Sequence, residues 1–197
     1  MKNLLRERDV TSFLLNAYFG KVDSPVHTAA NTAYLDLNRT IEFKKSKTIS
    51  VKQKKELRQR VVDTIIASIK DIKSKDAINQ VVFDNWHRDL CRAIIKIYSD
   101  KGIKIYYGQA QKWVNMTFKY LSVINRAFTS EYFKFLHAPI DSIVIDIASD
   151  GFHLKRPDIR WSRMDEKEYI DYQNRLRSVS HKNNLCPMLW EFRIWER

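Results

Sequence analysis

Between Ser50 and Asn125 the apolar residues return every third or fourth position, and glycine interrupts the run only at Gly102 and Gly108. A helix brings residues three and four apart onto one face, whereas a strand needs strict alternation. The whole chain holds only four glycines and four prolines, too little turn chemistry to separate many short strands. The expected fold class is therefore mainly α, a single compact multi-helix domain spanning residues 1–197. A chain of 197 residues suits one sizeable core and is too short for two large domains.

The pattern predicts individual elements. Residues 8–19 read as a short helix ending at Gly20, and Thr28 to Phe43 as a second. Ser50-Val-Lys-Gln53 matches the Ser-x-x-Gln capping box. The helix it opens carries Leu57, Val61, Ile65, Ile69 and Ile72 as a core stripe. Asp76 is expected to start the next helix, with Ile78, Val82, Trp86, Leu90, Ile94 and Tyr98 every fourth residue, and Gly102 to end it. After a short connector, about Gly108 to Asn125 forms a helix apolar on most of its circumference, which places it at the centre of the domain. Further on, Thr129 or Ser130 caps a short helix, and Pro139 occupies the first turn of the next. Asp150-Gly151 breaks the chain, residues 165–180 make a polar helix, and Pro187 interrupts before an apolar segment from Trp190 to Trp195.

The net charge is +12. Such an excess suggests an anionic partner, most often nucleic acid. A run of Lys44, Lys45, Lys47, Lys52, Lys54, Lys55, Arg58 and Arg60 sits against one acid, Glu56. Lys52, Lys54, Lys55 and Arg58 are the candidate phosphate contacts there. A second cluster interleaves Arg156, Arg160 and Arg163 with Trp161, a combination suited to backbone contact and base stacking. Either run also serves as an ordinary solvated face. Cys91 and Cys186 lack CxxC spacing, so neither a zinc site nor a disulfide framework is indicated. Met1 to Gly20 has no uninterrupted apolar core of signal-peptide type, and no stretch reaches the ~20 apolar residues of a membrane span. A cytoplasmic protein without membrane contact is expected.

The central helix carries Gln109, Lys112, Asn115, Met116 and Lys119 at three- or four-residue steps. Polar groups on a buried helix line a cleft or are satisfied by neighbours. A lysine in a dry cleft loses solvation and gains access to its neutral, nucleophilic form. Without a cleft, Lys112 and Lys119 reach solvent along their stems and Asn115 bonds a nearby backbone.

Gly108-x-x-x-Lys112, Lys119 seven residues on, and Ala138-Pro-Ile-Asp141-Ser-Ile together resemble the active-site segment of the helix–hairpin–helix DNA glycosylases, most closely their archaeal 8-oxoguanine branch. The resemblance covers roughly residues 105–146. It places the family's catalytic lysine on Lys112 and its catalytic aspartate on Asp141. It implies a DNA-repair hydrolase that removes a modified base through a lysine Schiff base, without a cofactor or metal. Gln109, Asn115 and Lys119 would contact substrate, and Trp113, Trp86 or Tyr107 would stack on the flipped base. The chain departs from the family in lacking the Gly-x-Gly hairpin, in placing isoleucine before Asp141, and in having too few cysteines for an iron–sulfur cluster.

Other readings remain open. One is a non-catalytic nucleic-acid-binding protein. Another is a helical ribonuclease, since Arg175 and His181 fit the loose Arg-x(4–6)-His pattern of HEPN proteins. A protein-binding helical module is a third. His137 and Asp141 lie one helical turn apart, within reach of a metal shared with His87 or His153, but nothing in the spacing fixes that geometry.

Overall fold

The computed structural model describes residues 5–43 and 49–196. Among these residues there are nine α-helices joined by loops and short 3-10 turns, with no strand. They are α1 (Glu7–Phe19), α2 (Pro25–Leu37), α3 (Val51–Lys73), α4 (Gln80–Ser99), α5 (Tyr107–Ile124), α6 (Arg126–Thr129), α7 (Ser142–Phe152), α8 (Glu166–Lys182) and α9 (Pro187–Arg193). The helices share one core, as expected. Among the described residues no helix is long and apolar enough to cross a membrane.

α5 is the axis of the molecule. Every residue from Tyr107 to Phe118 is buried. α2 packs along it through Ala29, Ala30 and Ala33, whose small side chains admit close approach. At that short range the Trp113 indole N–H donates to the Ala30 carbonyl at 2.8 Å. α3 and α4 pair with each other, and α4 also lies against α5. The α3 stripe of Leu57, Val61, Ile65, Ile69 and Ile72 is buried as its spacing requires. Each such side chain contributes about 1.5–3 kcal/mol of transfer free energy. The predicted capping box closes both ways: Gln53 N–H donates to Ser50 Oγ at 3.2 Å, and Ser50 N–H to Gln53 Oε1 at 2.8 Å.

Several boundaries fall elsewhere than the sequence implied. α2 opens at Pro25 and gives way to a 3-10 turn at Asn38–Thr40, so the second helix does not run from Thr28 to Phe43. Asn79, not Asp76, caps α4, because its carboxamide accepts from Val82 N–H. Asn125 caps α6, which ends where Thr129 and Ser130 were expected to start a helix. Pro139 lies before α7 and not in its first turn, since Asp141 takes the N-cap. Asp150 and Gly151 lie within α7, which stops at His153 in a left-handed conformation (φ 53°). Pro187 begins α9 at a position where its missing N–H costs nothing.

α1 stands apart. It buries no residue, and Val10, Phe13, Leu14 and Tyr18 lie exposed along it. Gly20, at φ 67°, lets the chain turn from α1 towards α2.

Candidate functional site

Lys112 and Asp141 meet. The Lys112 ammonium donates to Asp141 Oδ2 at 2.6 Å. The Lys112 side chain is 7% exposed and that of Asp141 is 17% exposed. Both residues are held from outside the pair. Lys112 lies in the second turn of the buried axis helix, and Asp141 is the N-cap of α7, where its second oxygen, Oδ1, accepts from Val144 N–H at 2.9 Å. One carboxylate thus answers an orphan donor at a helix end and a buried ammonium.

A further wall comes from α2 and α5. The Tyr120 hydroxyl donates to Asp36 Oδ2 at 2.8 Å, and the Tyr18 hydroxyl of α1 lies 2.9 Å from that of Tyr120. Burial pushes the Asp36 carboxyl above its ordinary range, against the lowering pull of Tyr120, Lys112 and Lys119, while the charge of Asp141 pushes it further up. Asp36, Lys112, Lys119 and Asp141 therefore share one electrostatic neighbourhood. Two turns beyond Lys112, Lys119 is used differently from its expected role at substrate or phosphate. Its ammonium binds Glu191 at 2.7 Å and lies 5.0 Å from the centre of the Trp195 ring.

The segment that delivers Asp141 runs beside α5 and is bonded to it. Gln111 donates to the Ile140 carbonyl at 2.7 Å and accepts from Ile140 N–H at 3.2 Å. Asn115 donates to the Ala138 carbonyl at 3.1 Å and to the Tyr169 hydroxyl oxygen at 2.9 Å. Tyr169 in turn lies 2.8 Å from His137 Nδ1, and His137 Nε2 lies 2.7 Å from Asp84 Oδ1. With Tyr169 donating to Nδ1 and Nε2–H donating to Asp84, His137 is satisfied as a neutral imidazole. Burial holds it below its usual pKa, although Asp84 pulls the other way. Burial also raises the Asp84 carboxyl, but hydrogen bonds from His137 and Gln80 and the charge of Arg177 outweigh that and hold it well below the carboxylate range. His87, buried and bonded to Asn115 at 2.9 Å, is pushed down by desolvation and by neighbouring His137.

The structure places the other sequence candidates as follows. Gln109 is buried and its amide is committed to Tyr106 N–H and to Thr40, which leaves nothing for a substrate. Asn115 is likewise absorbed by the network above. Trp113 is fully buried against Tyr34, and Trp86 packs on Phe83 and Phe118 with its N–H on the Ser68 carbonyl. Tyr107 is buried as well. These three aromatics are core, not base-stacking platforms, because the helices that carry them face one another. On α3, Lys52 and Lys55 are exposed, whereas Lys54 lies over Phe43 and Arg58 lies over Tyr34 with a bond to the Asn31 carbonyl. Lys44, Lys45 and Lys47 lie outside the described residues. Arg156 is engaged by Asp146 and Asp150, and Arg160 is exposed. Arg175 bonds the Lys155 carbonyl, and His181 is exposed further along α8. Among the described residues no group of three His, Cys, Asp or Glu side chains converges as a metal ion would require.

Gly108 has a structural reason of its own. It lies inside α5, where a Cβ would stand 1.8 Å from the Trp161 carbonyl oxygen, and its N–H donates to the Met164 carbonyl at 3.0 Å. Asp36, Tyr120, Gln111 and Glu191 escaped the sequence reading, because no motif or spacing marks them. Gln111, adjacent to Lys112, bonds the Ile140 peptide, just as the lysine bonds Asp141. No protein-family model, curated protein or solved structure matches this chain.

Proposed function

We propose that Lys112 and Asp141 form the active centre of a nucleic-acid-directed enzyme, with base-excision chemistry of the DNA glycosylase/lyase type. The observation that carries this reading is the 2.6 Å contact between the Lys112 amine and the Asp141 carboxylate. A lysine ammonium must give up a proton before it can attack, and a carboxylate in contact with it is placed to receive that proton once substrate has entered. In the proposed reaction the Lys112 nitrogen bonds C1′ of a flipped nucleotide as the glycosidic C–N bond breaks. Asp141 first takes a proton from the Lys112 ammonium, freeing the amine, and passes it to the departing base, which leaves with the bonding electron pair. Asp141, again a carboxylate, steadies positive charge on the sugar, and the second amine proton moves to the ring oxygen as the C1′–O4′ bond opens to leave a Schiff base. The net charge of +12 and the exposed Lys52, Lys55 and Arg160 suit a polyanionic substrate.

Borohydride trapping tests the proposal. Duplex oligonucleotides carrying a panel of modified bases or an abasic site are incubated with the protein and reduced. A covalent adduct that disappears in Lys112→Met supports the reading, and absence of an adduct across the panel rejects it.

A second reading is favoured by the double use of Asp141. A carboxylate that both caps α7 and neutralises Lys112 is also what a structural staple needs. On that reading the protein binds nucleic acid without altering it. Lys112→Met then leaves affinity unchanged, while charge reversal at Lys52 and Lys55 abolishes it.

A further inference from the structure

Asp141 belongs to a stretch without regular structure, His137 to Asp141, that joins a 3-10 turn at Phe133–Phe135 to α7. Such a stretch has no hydrogen-bond ladder to fix its register against α5. Side chains of α5 supply one. The Gln111 carboxamide meets the Ile140 peptide face to face, with Nε2 donating to the carbonyl at 2.7 Å and Oε1 accepting from the N–H at 3.2 Å. Its own orientation is fixed from both ends, since Nε2 also donates to the Gly108 carbonyl at 2.9 Å and Oε1 accepts from Asn115 at 2.9 Å. Asn115 then reaches the Ala138 carbonyl, two residues back. Both clamps are buried, Gln111 completely. Gln111 immediately precedes Lys112, and Ile140 immediately precedes Asp141, so the amide pairing aligns the two reacting side chains residue for residue.

We infer that Gln111, backed by Asn115, is the positioning residue of the Lys112–Asp141 site: its amide sets the register of the 137–141 segment and so the separation of amine from carboxylate. This rests on the site proposed above, but it concerns the pair's geometry and is measurable without turnover. A polar clamp suits the task because a two-bond amide pairing has one register, whereas apolar contact allows the segment to slide. The group bonded to the amine is Asp141 at the N-cap of α7, and Asp36 of α2 lies within electrostatic reach of Lys112, Lys119 and Asp141.

The test is the rate at which Lys112 is reductively methylated by formaldehyde and cyanoborohydride. It is read by peptide mass spectrometry against exposed Lys101 across pH 6–10, in the full chain. Asp141→Asn, which removes the carboxylate bonded to the ammonium, is expected to raise the Lys112 rate several-fold by freeing the amine. Gln111→Met, of similar volume but without the amide, is expected to raise it comparably and to move the pH profile the same way. Gln109→Met is the control. It removes a buried amide from the same helix whose bonds go to Tyr106 and Thr40, and it should leave the Lys112 profile unchanged. Should Gln111→Met not fold, Gln111→Leu carries the same measurement, since it also removes the amide without adding a charge beside Lys112. A Gln111 variant with the wild-type profile overturns the inference, as does Gln109→Met shifting the profile equally. Failure of the enzymatic reading appears separately, as no trapped adduct in a protein whose Lys112 profile still responds to Gln111.

Discussion

Replacing Asp141 with asparagine separates the two tasks of its carboxylate. Asparagine caps a helix about as well as aspartate, so Val144 N–H keeps its acceptor. What is lost is the negative charge against Lys112, whose side chain is 7% exposed. Removing one partner of a buried ion pair costs about 3–5 kcal/mol, because the other charge is left without compensation. The Asp141 side is the more open, at 17%, which lets water approach the stranded ammonium, so about 3 kcal/mol is expected. For a chain of this size that is a fall in Tm of about 6–12 °C. Urea unfolding followed by far-UV circular dichroism gives the free energy, and calorimetry the Tm. Lys112→Met in the same background closes the cycle. The double variant replaces the pair by two neutral side chains and should return to within about 1 kcal/mol of wild type, since such replacements are often neutral. If Asp141→Asn stays within about 0.5 kcal/mol of wild type, or if the two changes simply add, the pair is not coupled in the fold and the reasoning fails.

Three other outcomes are expected. Gly108→Ala forces a Cβ against the Trp161 carbonyl, a backbone atom that cannot swing aside; it should cost about 2 kcal/mol or more despite the better helix propensity of alanine, and an unchanged melting curve would refute the close approach. Burial holds His87 and His137 neutral in the fold. Their contribution is fully present above the unfolded value of about 6.5 and declines as pH falls, by up to about 1.4 kcal/mol per pH unit for each proton taken up. Asp36, whose carboxyl is raised, has the opposite sign, but it is one group against two. Thermal melts should show lower stability at pH 5 than at pH 7.5, with a shallower slope in His87→Gln, and a melt at least as stable at pH 5 counts against this. Finally, Lys52→Glu with Lys55→Glu should weaken binding to a duplex oligonucleotide and reduce the slope of log K against log salt by about 2; a parallel salt plot would remove α3 from the interface.

The helical architecture was legible because the α3, α4 and α5 stripes are long and their period is unambiguous. Boundaries were less so. At α6 and α7 several residues offered capping chemistry, and only the fold decides that Asn125 and Asp141 win over Thr129 and a proline-led start. The site divides in the same way. The resemblance to the glycosylase segment paired Lys112 with Asp141, 29 residues apart, and the fold brings them into contact. Asp36 and Tyr120 did not stand out, because nothing along the chain connects α2 with the far turns of α5 until the alanine face of α2 docks there. The polar stripe on α5 misled for a physical reason. A helix buried all round must satisfy its polar groups somewhere, and Gln109 and Asn115 do so in the interior, which looks in sequence the same as lining a cleft.

The contact at Gly108 has one more consequence. Where a missing Cβ lets α5 touch the Trp161 carbonyl, the basic turn of Arg160 to Arg163 is pressed against the helix without intervening side chain. Lys112 stands four residues on, a rise of about 6 Å along the axis. The backbone of the 160s turn is thereby held about one helical turn from the residue that bears the amine, and any side chain added at position 108 would have to change that offset.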